Sequence, residues 1–129
     1  MLLAVLSSAA VGAQGSKNSS QGVFTEAQAT RGQAAYMESC ARCHAEDLLG
    51  GGAPPLVGET FVNRFGGNTA DAMVKTIRRT MPQESPGSLT MQQYVDIASF
   101  LLKSNGSPAG ADELPTDAMA LQQIAIASR

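Results

Sequence analysis

At 129 residues with a formal charge of −2, the chain has room for one domain. It has no basic run with interleaved aromatics, so nothing points to nucleic acid. With no Trp, four Phe and two Tyr, its apolar inventory is thin for a domain of roughly a hundred residues.

Leu2 to Val11 is apolar, and Val11-Gly12-Ala13 supplies small residues before Gln14. This predicts a signal peptide over 1–13, cleaved after Ala13, and export to the periplasm. The stretch is too short to span a bilayer. Its n-region has no Lys or Arg, which fits a start inside a longer signal. Residues 14–24 are rich in Ser, Gly, Gln and Asn and predict a flexible leader. Thr25-Glu26-Ala27-Gln28 has the capping-box pattern and opens a helix expected to run to about Cys43. Gly32 and Tyr36 share one face of it. A glycine there either admits a second helix at close range or is a tolerated surface residue.

Cys40-Ala41-Arg42-Cys43-His44 ends that helix, and C-x-x-C-H reads as attachment of a c-type haem. Two thiols three residues apart can form thioethers with the two vinyl groups of one porphyrin. The adjacent imidazole then serves as proximal iron ligand. These are the only cysteines and the only histidine. A buried macrocycle would also complete the thin core. Three plainer readings compete. A zinc site normally needs four Cys/His ligands, and no second pair exists. A thioredoxin-like C-x-x-C should follow a strand. A disulfide or free thiols without cofactor is the third.

Gly50-Gly51-Gly52-Ala53-Pro54-Pro55 breaks regular structure. A short helix is expected over Glu59 to Phe65, with Phe61, Val62 and Phe65 inward. Asn68 or Thr69 caps a further helix to about Thr80, with Met73, Val74 and Ile77 as its apolar stripe. Met81-Pro82 ends it. Thr90-Met91-Gln92-Gln93 is a second capping box, with Leu89 and Tyr94 placed to staple it. Tyr94, Ile97, Ala98, Leu101 and Leu102 then form one apolar face, and Asn105-Gly106 stops the helix. Residues 107–129 read as an extended tail with a short helix near Thr116 to Ile124. No convincing strand pair appears, so the fold class is all-α.

A six-coordinate iron needs a partner for His44, and methionine is the natural candidate. Met1 leaves with the signal peptide, and Met37 lies too close before the motif. Met73 suits the core, Met91 opens the last main helix, and Met119 lies in the tail. Met81, in a loop held by Pro82, is best placed to cross over the ring; the plainer reading is a buried gap-filler.

Taken in order, Cys40-Ala41-Arg42-Cys43-His44, Pro54-Pro55-Leu56-Val57-Gly58 and Thr80-Met81-Pro82 before an amphipathic helix resemble a class I cytochrome c over about residues 25–104. The resemblance implies a cytochrome c-like fold of three to five helices around one covalent haem, with the first and last helices crossing. It implies a domain over 25–106, His44 and Met81 as iron ligands, and Pro54 lending its carbonyl to the proximal imidazole. The haem-binding set is then Cys40, Cys43, His44, Pro54, Leu56, Phe61, Phe65 and Met81. The stretch 81–90, with Asn105 to Gly110 and Glu113-Leu114-Pro115, resembles small cytochromes c associated with quinoprotein (PQQ-dependent) dehydrogenases. Two departures from the wider family are a shorter loop over 45–53 and Ala45 where Gly is typical.

His/Met ligation leaves no open iron position, so one-electron transfer without bond chemistry is expected. The expected partners are redox proteins: a PQQ-dependent dehydrogenase as donor, and an oxidase or another cytochrome as acceptor. They would dock at the haem edge beside Ala41, Leu48 to Gly52 and Met81 to Pro86. Lys75, Arg78 and Arg79, or Glu46 and Asp47, would steer a partner or simply be solvated. Arg64 is placed either to pair with a haem propionate or at the surface. The alternatives are an electron-accepting subunit of a dehydrogenase complex and a haem sensor or peroxidase-like protein with a labile Met81.

Overall fold

A computed structural model describes residues 16–128; the expected signal peptide lies outside the described residues. The elements in chain order are β1 (Lys17–Asn18), a 3-10 turn (Ser19–Gln21), α1 (Glu26–Ser39), α2 (Ala41–His44), α3 (Glu59–Phe65), α4 (Ala70–Thr80), α5 (Met91–Ser104), α6 (Ala118–Gln122) and β2 (Ile124–Ala125). The architecture is all-α and cytochrome c-like. Four helices of seven or more residues carry it, and α2 and α6 add about one turn each.

The caps form where the sequence puts them, except that the box expected at Thr25 is half made, because the Gln28 side chain turns to Leu114. Thr25 and Thr69 accept from Gln28 N and Ala72 N. Thr90 and Gln93 close a full capping box on α5. Such side chains satisfy amide groups that the first turn of a helix leaves unpaired.

The main packing is α1 against α5, the crossing of first and last helices that the resemblance implies. A Cβ on Gly32 would overlap the backbone carbonyl of Asp96, so glycine is what lets the helices touch. Tyr36 and Tyr94 are fully buried, and the Tyr36 and Phe100 rings lie 5.3 Å apart at a 50° tilt, within the favourable range for aromatic pairs. At the rim Arg31 reaches Asp96 on α5 (3.2 Å) and Glu113 beyond it (2.7 Å). First the Asp96 and then the Glu113 hydrogen bonds hold its guanidinium above the ordinary arginine range.

Four expectations need correction. The first helix does not run to Cys43: Cys40, at φ −128° and ψ −36°, breaks it, and one separate turn carries Cys43 and His44. Val62 and Ile77 are only partly buried, unlike their neighbours Phe61, Phe65, Met73 and Val74.

Residues 16–24 are not a flexible leader. Val23 and Phe24 are buried, and Asn18 and Gln21 form a capping box around the 3-10 turn. A strand pair also exists, since β1 pairs in parallel with β2. The segment 123–127 is held on both sides, by Lys17 N to Gln123 O (2.8 Å), Ile126 N to Asn68 O (2.8 Å) and Gly67 N to Ile126 O (2.9 Å). Polar composition dominated the leader reading, whereas these segments are fixed by a few apolar anchors and by backbone pairing with distant chain.

The tail packs along the body through Leu114, Leu121, Ile124 and Ile126. Gln28, fully buried on α1, clasps it, its amide donating to Leu114 O (3.0 Å) and accepting from Leu114 N (2.6 Å). Gln28→Ala strands two buried backbone groups, each worth about 1–3 kcal/mol. The expected loss is about 3 kcal/mol in urea unfolding, with faster proteolysis of the tail. A loss within about 0.5 kcal/mol would show that the clasp is incidental.

Candidate functional site

Two cavities meet where α2, the loop between α4 and α5, and the loop over 53–57 come together. The smaller, about 300 Å³, is lined by Cys40, Cys43, His44, Ala53 and Met81 with Glu38, Arg42 and Glu84 at its mouth. The larger, about 580 Å³, is lined by Cys40, His44, Pro54, Leu56, Phe61, Phe65, Ile77, Met81, Ile97 and Leu101. Cys40, His44 and Met81 border both, so the two spaces adjoin along one cleft. All eight residues expected from sequence line it.

Each element contributes for a local reason. The single turn of α2 presents Cys40, Cys43 and His44 together, with His44 N bonded to Cys40 O at 3.0 Å. Both cysteines are free thiols and partly buried. Burial, then the neighbouring Cys43, pushes the Cys40 thiol up to about 11. His44 is 7% exposed, and its Nδ1 lies 2.8 Å from Pro54 O. A carbonyl oxygen only accepts, so Nδ1 carries the proton and Nε2 keeps the lone pair a metal needs.

α4 ends at Thr80, and its C-cap Met81 donates its N–H to Ile77 O at 2.7 Å. The Met81–Pro82 peptide is cis. The apolar wall comes from α3, with the Phe61 and Phe65 rings 5.3 Å apart, and from Ile97 and Leu101 on α5. Asn105 fixes the loop after Pro54: its side chain donates to Leu56 O (3.0 Å) and accepts from Gly58 N (2.9 Å).

This donor set fits a haem. Cys40, Cys43, His44 and Met81 all border a cleft with a largely apolar wall, and such residues would suit an apolar macrocycle whose iron takes an imidazole and a thioether. Among the described residues no group of three or more His, Cys, Asp and Glu could hold a bare metal ion.

Sequence reasoning missed several lining residues. Ile97 and Leu101 were read only as the apolar face of α5; a face that serves both a helix crossing and a cofactor wall gives one and the same periodicity. Tyr36, Thr60, Asn63, Thr76 and Thr80 also line the larger cavity, and nothing in their spacing marks them. Arg64 is exposed at the same cavity, its guanidinium 5.6 Å from the Phe65 ring centroid. Of the residues expected on the docking edge, Leu48 is buried, whereas Leu49 beside it is exposed, at 62%.

The residue after His44 is strained. Ala45 sits at φ 70°, a region that L side chains avoid and glycine enters freely. Tyr36 Oη donates to Ala45 O at 2.6 Å and helps hold it there; burial, then Cys40 and Asp47, pushes that phenol up to about 12. Ala45→Gly is expected to stabilise the protein by about 1 kcal/mol, raising Tm by several degrees. A lowered Tm would mean that the Ala45 methyl packs favourably enough to outweigh the strain.

Residues 27–101, more than half of the chain, match the family described as cytochrome c oxidase, cbb3-type, subunit III. No curated protein and no solved structure matches.

Proposed function

The chain belongs to the family described as cytochrome c oxidase, cbb3-type, subunit III, and from that premise we propose a periplasmic one-electron carrier holding a single haem c between His44 and Met81. Family membership makes it a monohaem c-type cytochrome and a haem-based electron carrier with redox-protein partners; the ligands, compartment and partners are the proposal. The observation that carries it is the convergence of Cys40, Cys43, His44 and Met81 on one apolar cleft, with Pro54 fixing the His44 tautomer.

In this reading Cys40 and Cys43 would hold the haem covalently, and His44 and Met81 would ligate its iron. The group supplies one-electron exchange between ferric and ferrous iron. The protein's own residues exclude water with Leu56, Phe61, Phe65, Ile97 and Leu101, and hold both ligands so that little rearranges on electron transfer. Arg64, beside the cavity, is placed to pair with a propionate.

The docking edge is Ala41, Leu49 to Gly52 and Met81 to Pro86, a surface of small and weakly polar residues suited to brief encounters. The proposed donor is a PQQ-dependent dehydrogenase and the acceptor an oxidase or another cytochrome. A diffusing shuttle is favoured over a fixed subunit because the tail buries Leu114, Leu121, Ile124 and Ile126 against its own body. No helix among the described residues is long and apolar enough to cross a membrane.

The test is the visible spectrum of protein made alongside a c-type haem maturation system. Sharp c-type bands on reduction, haem retained after denaturation and the weak long-wavelength ferric band of a methionine–iron bond are expected. Haem without that ferric band would remove Met81 as ligand and favour the sensor or peroxidase-like reading. Absence of haem would overturn the proposal.

A further inference from the structure

Resting on the reading of Met81 as iron ligand, we propose that Tyr94 is a positioning residue for it, fixing the Met81 backbone through a buried phenol bond. Tyr94 lies in the first turn of α5, fully buried, and borders neither cavity at the site. Its direct link to the site is the bond to Met81.

The geometry is specific. Tyr94 Oη donates to Met81 O at 2.7 Å. The Met81 N–H is bonded to Ile77 O at 2.7 Å, so both polar groups of this one residue are tied, one to the end of α4 and one to the start of α5. The segment between the two helices is otherwise exposed from Gln83 to Ser88, with only Ser85 N to Pro82 O (2.9 Å), Ser88 N to Ser85 O (3.2 Å) and a long Gly87 N to Met81 O contact (3.4 Å) inside it. Leu89 N approaches Tyr94 Oη at 3.5 Å, closing the same loop from its far end. A solvated loop of this kind opens locally at small cost. The phenol, tethered to the helix crossing, is what makes release of Met81 expensive.

Gln28 supplies an internal comparison. It is equally buried, sits on the other crossing helix, borders neither cavity, and holds Leu114 of the tail through two side-chain bonds. Losing its amide loosens the fold away from both ligands.

The experiment compares wild type, Tyr94→Phe and Gln28→Ala as ferric holoproteins, titrated with imidazole as a competitor for the methionine position and followed by the methionine–iron band. Tyr94→Phe is expected to bind imidazole about fivefold to tenfold more tightly than wild type, as follows from losing one hydrogen bond that opposes displacement. Gln28→Ala, which loosens the fold away from the cleft, should leave that affinity unchanged while lowering Tm at least as much. Imidazole affinity in Tyr94→Phe within about twofold of wild type, with the band present throughout, would overturn the role of Tyr94 alone. Equal tightening in both variants would overturn it too, by tracing the effect to general loosening. A wild-type protein without the band would instead overturn Met81 as ligand, and the positioning role with it.

Discussion

Gly32→Ala is expected to destabilise the protein by about 3 kcal/mol or more, lowering Tm by roughly 12–24 °C. Two effects oppose each other. In a helix interior alanine is better than glycine by about 1 kcal/mol, which would stabilise α1. Against that, the new methyl overlaps the Asp96 carbonyl of α5. That obstacle is backbone inside a helix, so no side chain can rotate away and the two helices must separate along their length. Tyr36, Ala29 and Ile97 are buried around the crossing and lose packing with it. The steric term wins. Thermal unfolding of the holoprotein checks it; an unchanged or raised Tm would show that the helices can part by more than an ångström without cost.

Damage there should not stay local. The phenols of Tyr36 and Tyr94 run from the crossing helices to Ala45 O and Met81 O, so the helix pair is also the frame that spaces the two ligand-bearing segments. This links an expected fall in stability to an expected weakening of the methionine–iron band in the same variant.

The helices and their caps were legible because their signals are local. Thr25, Thr69 and Thr90 stand where capping chemistry requires them, and Met81-Pro82 stops α4 at the expected place. The motif residues Cys40, Cys43 and His44 were legible as a set for the same reason: their chemistry depends on spacing alone. Pro54 came from resemblance, and its carbonyl indeed faces His44 Nδ1.

The strap formed by residues 16–24 and 107–128 was not legible. A two-residue parallel pair has too few residues to show an alternating pattern, and its partners are about a hundred residues apart. Gln28 reads as an ordinary capping-turn polar residue until Leu114 is brought beside it. Tyr94 was read as a staple residue for Leu89, which accounts for its ring and says nothing of its hydroxyl. Contacts set by tertiary structure leave no period in the sequence.

Met81→His is expected to lower the midpoint potential by a few tenths of a volt. A thioether is a soft, weak donor that favours the ferrous state, whereas an imidazole donates more strongly and favours the ferric state. The size is large because each 59 mV is a tenfold change in a one-electron equilibrium, so about 0.2 V is a change of more than a thousandfold. The variant is well suited to the question. Met81 is only partly buried, and its backbone is held by Ile77 O and Tyr94 Oη, neither of which depends on the side chain. Met73, 1% exposed inside α4, and Met91, partly buried at the start of α5, are the comparison. Met91→Leu should leave the potential where it is. A potentiometric titration in which Met81→His and Met91→Leu both match wild type would show that Met81 does not touch the iron. The sensor reading, with an open or labile sixth position, would then account for the cleft better than a carrier does.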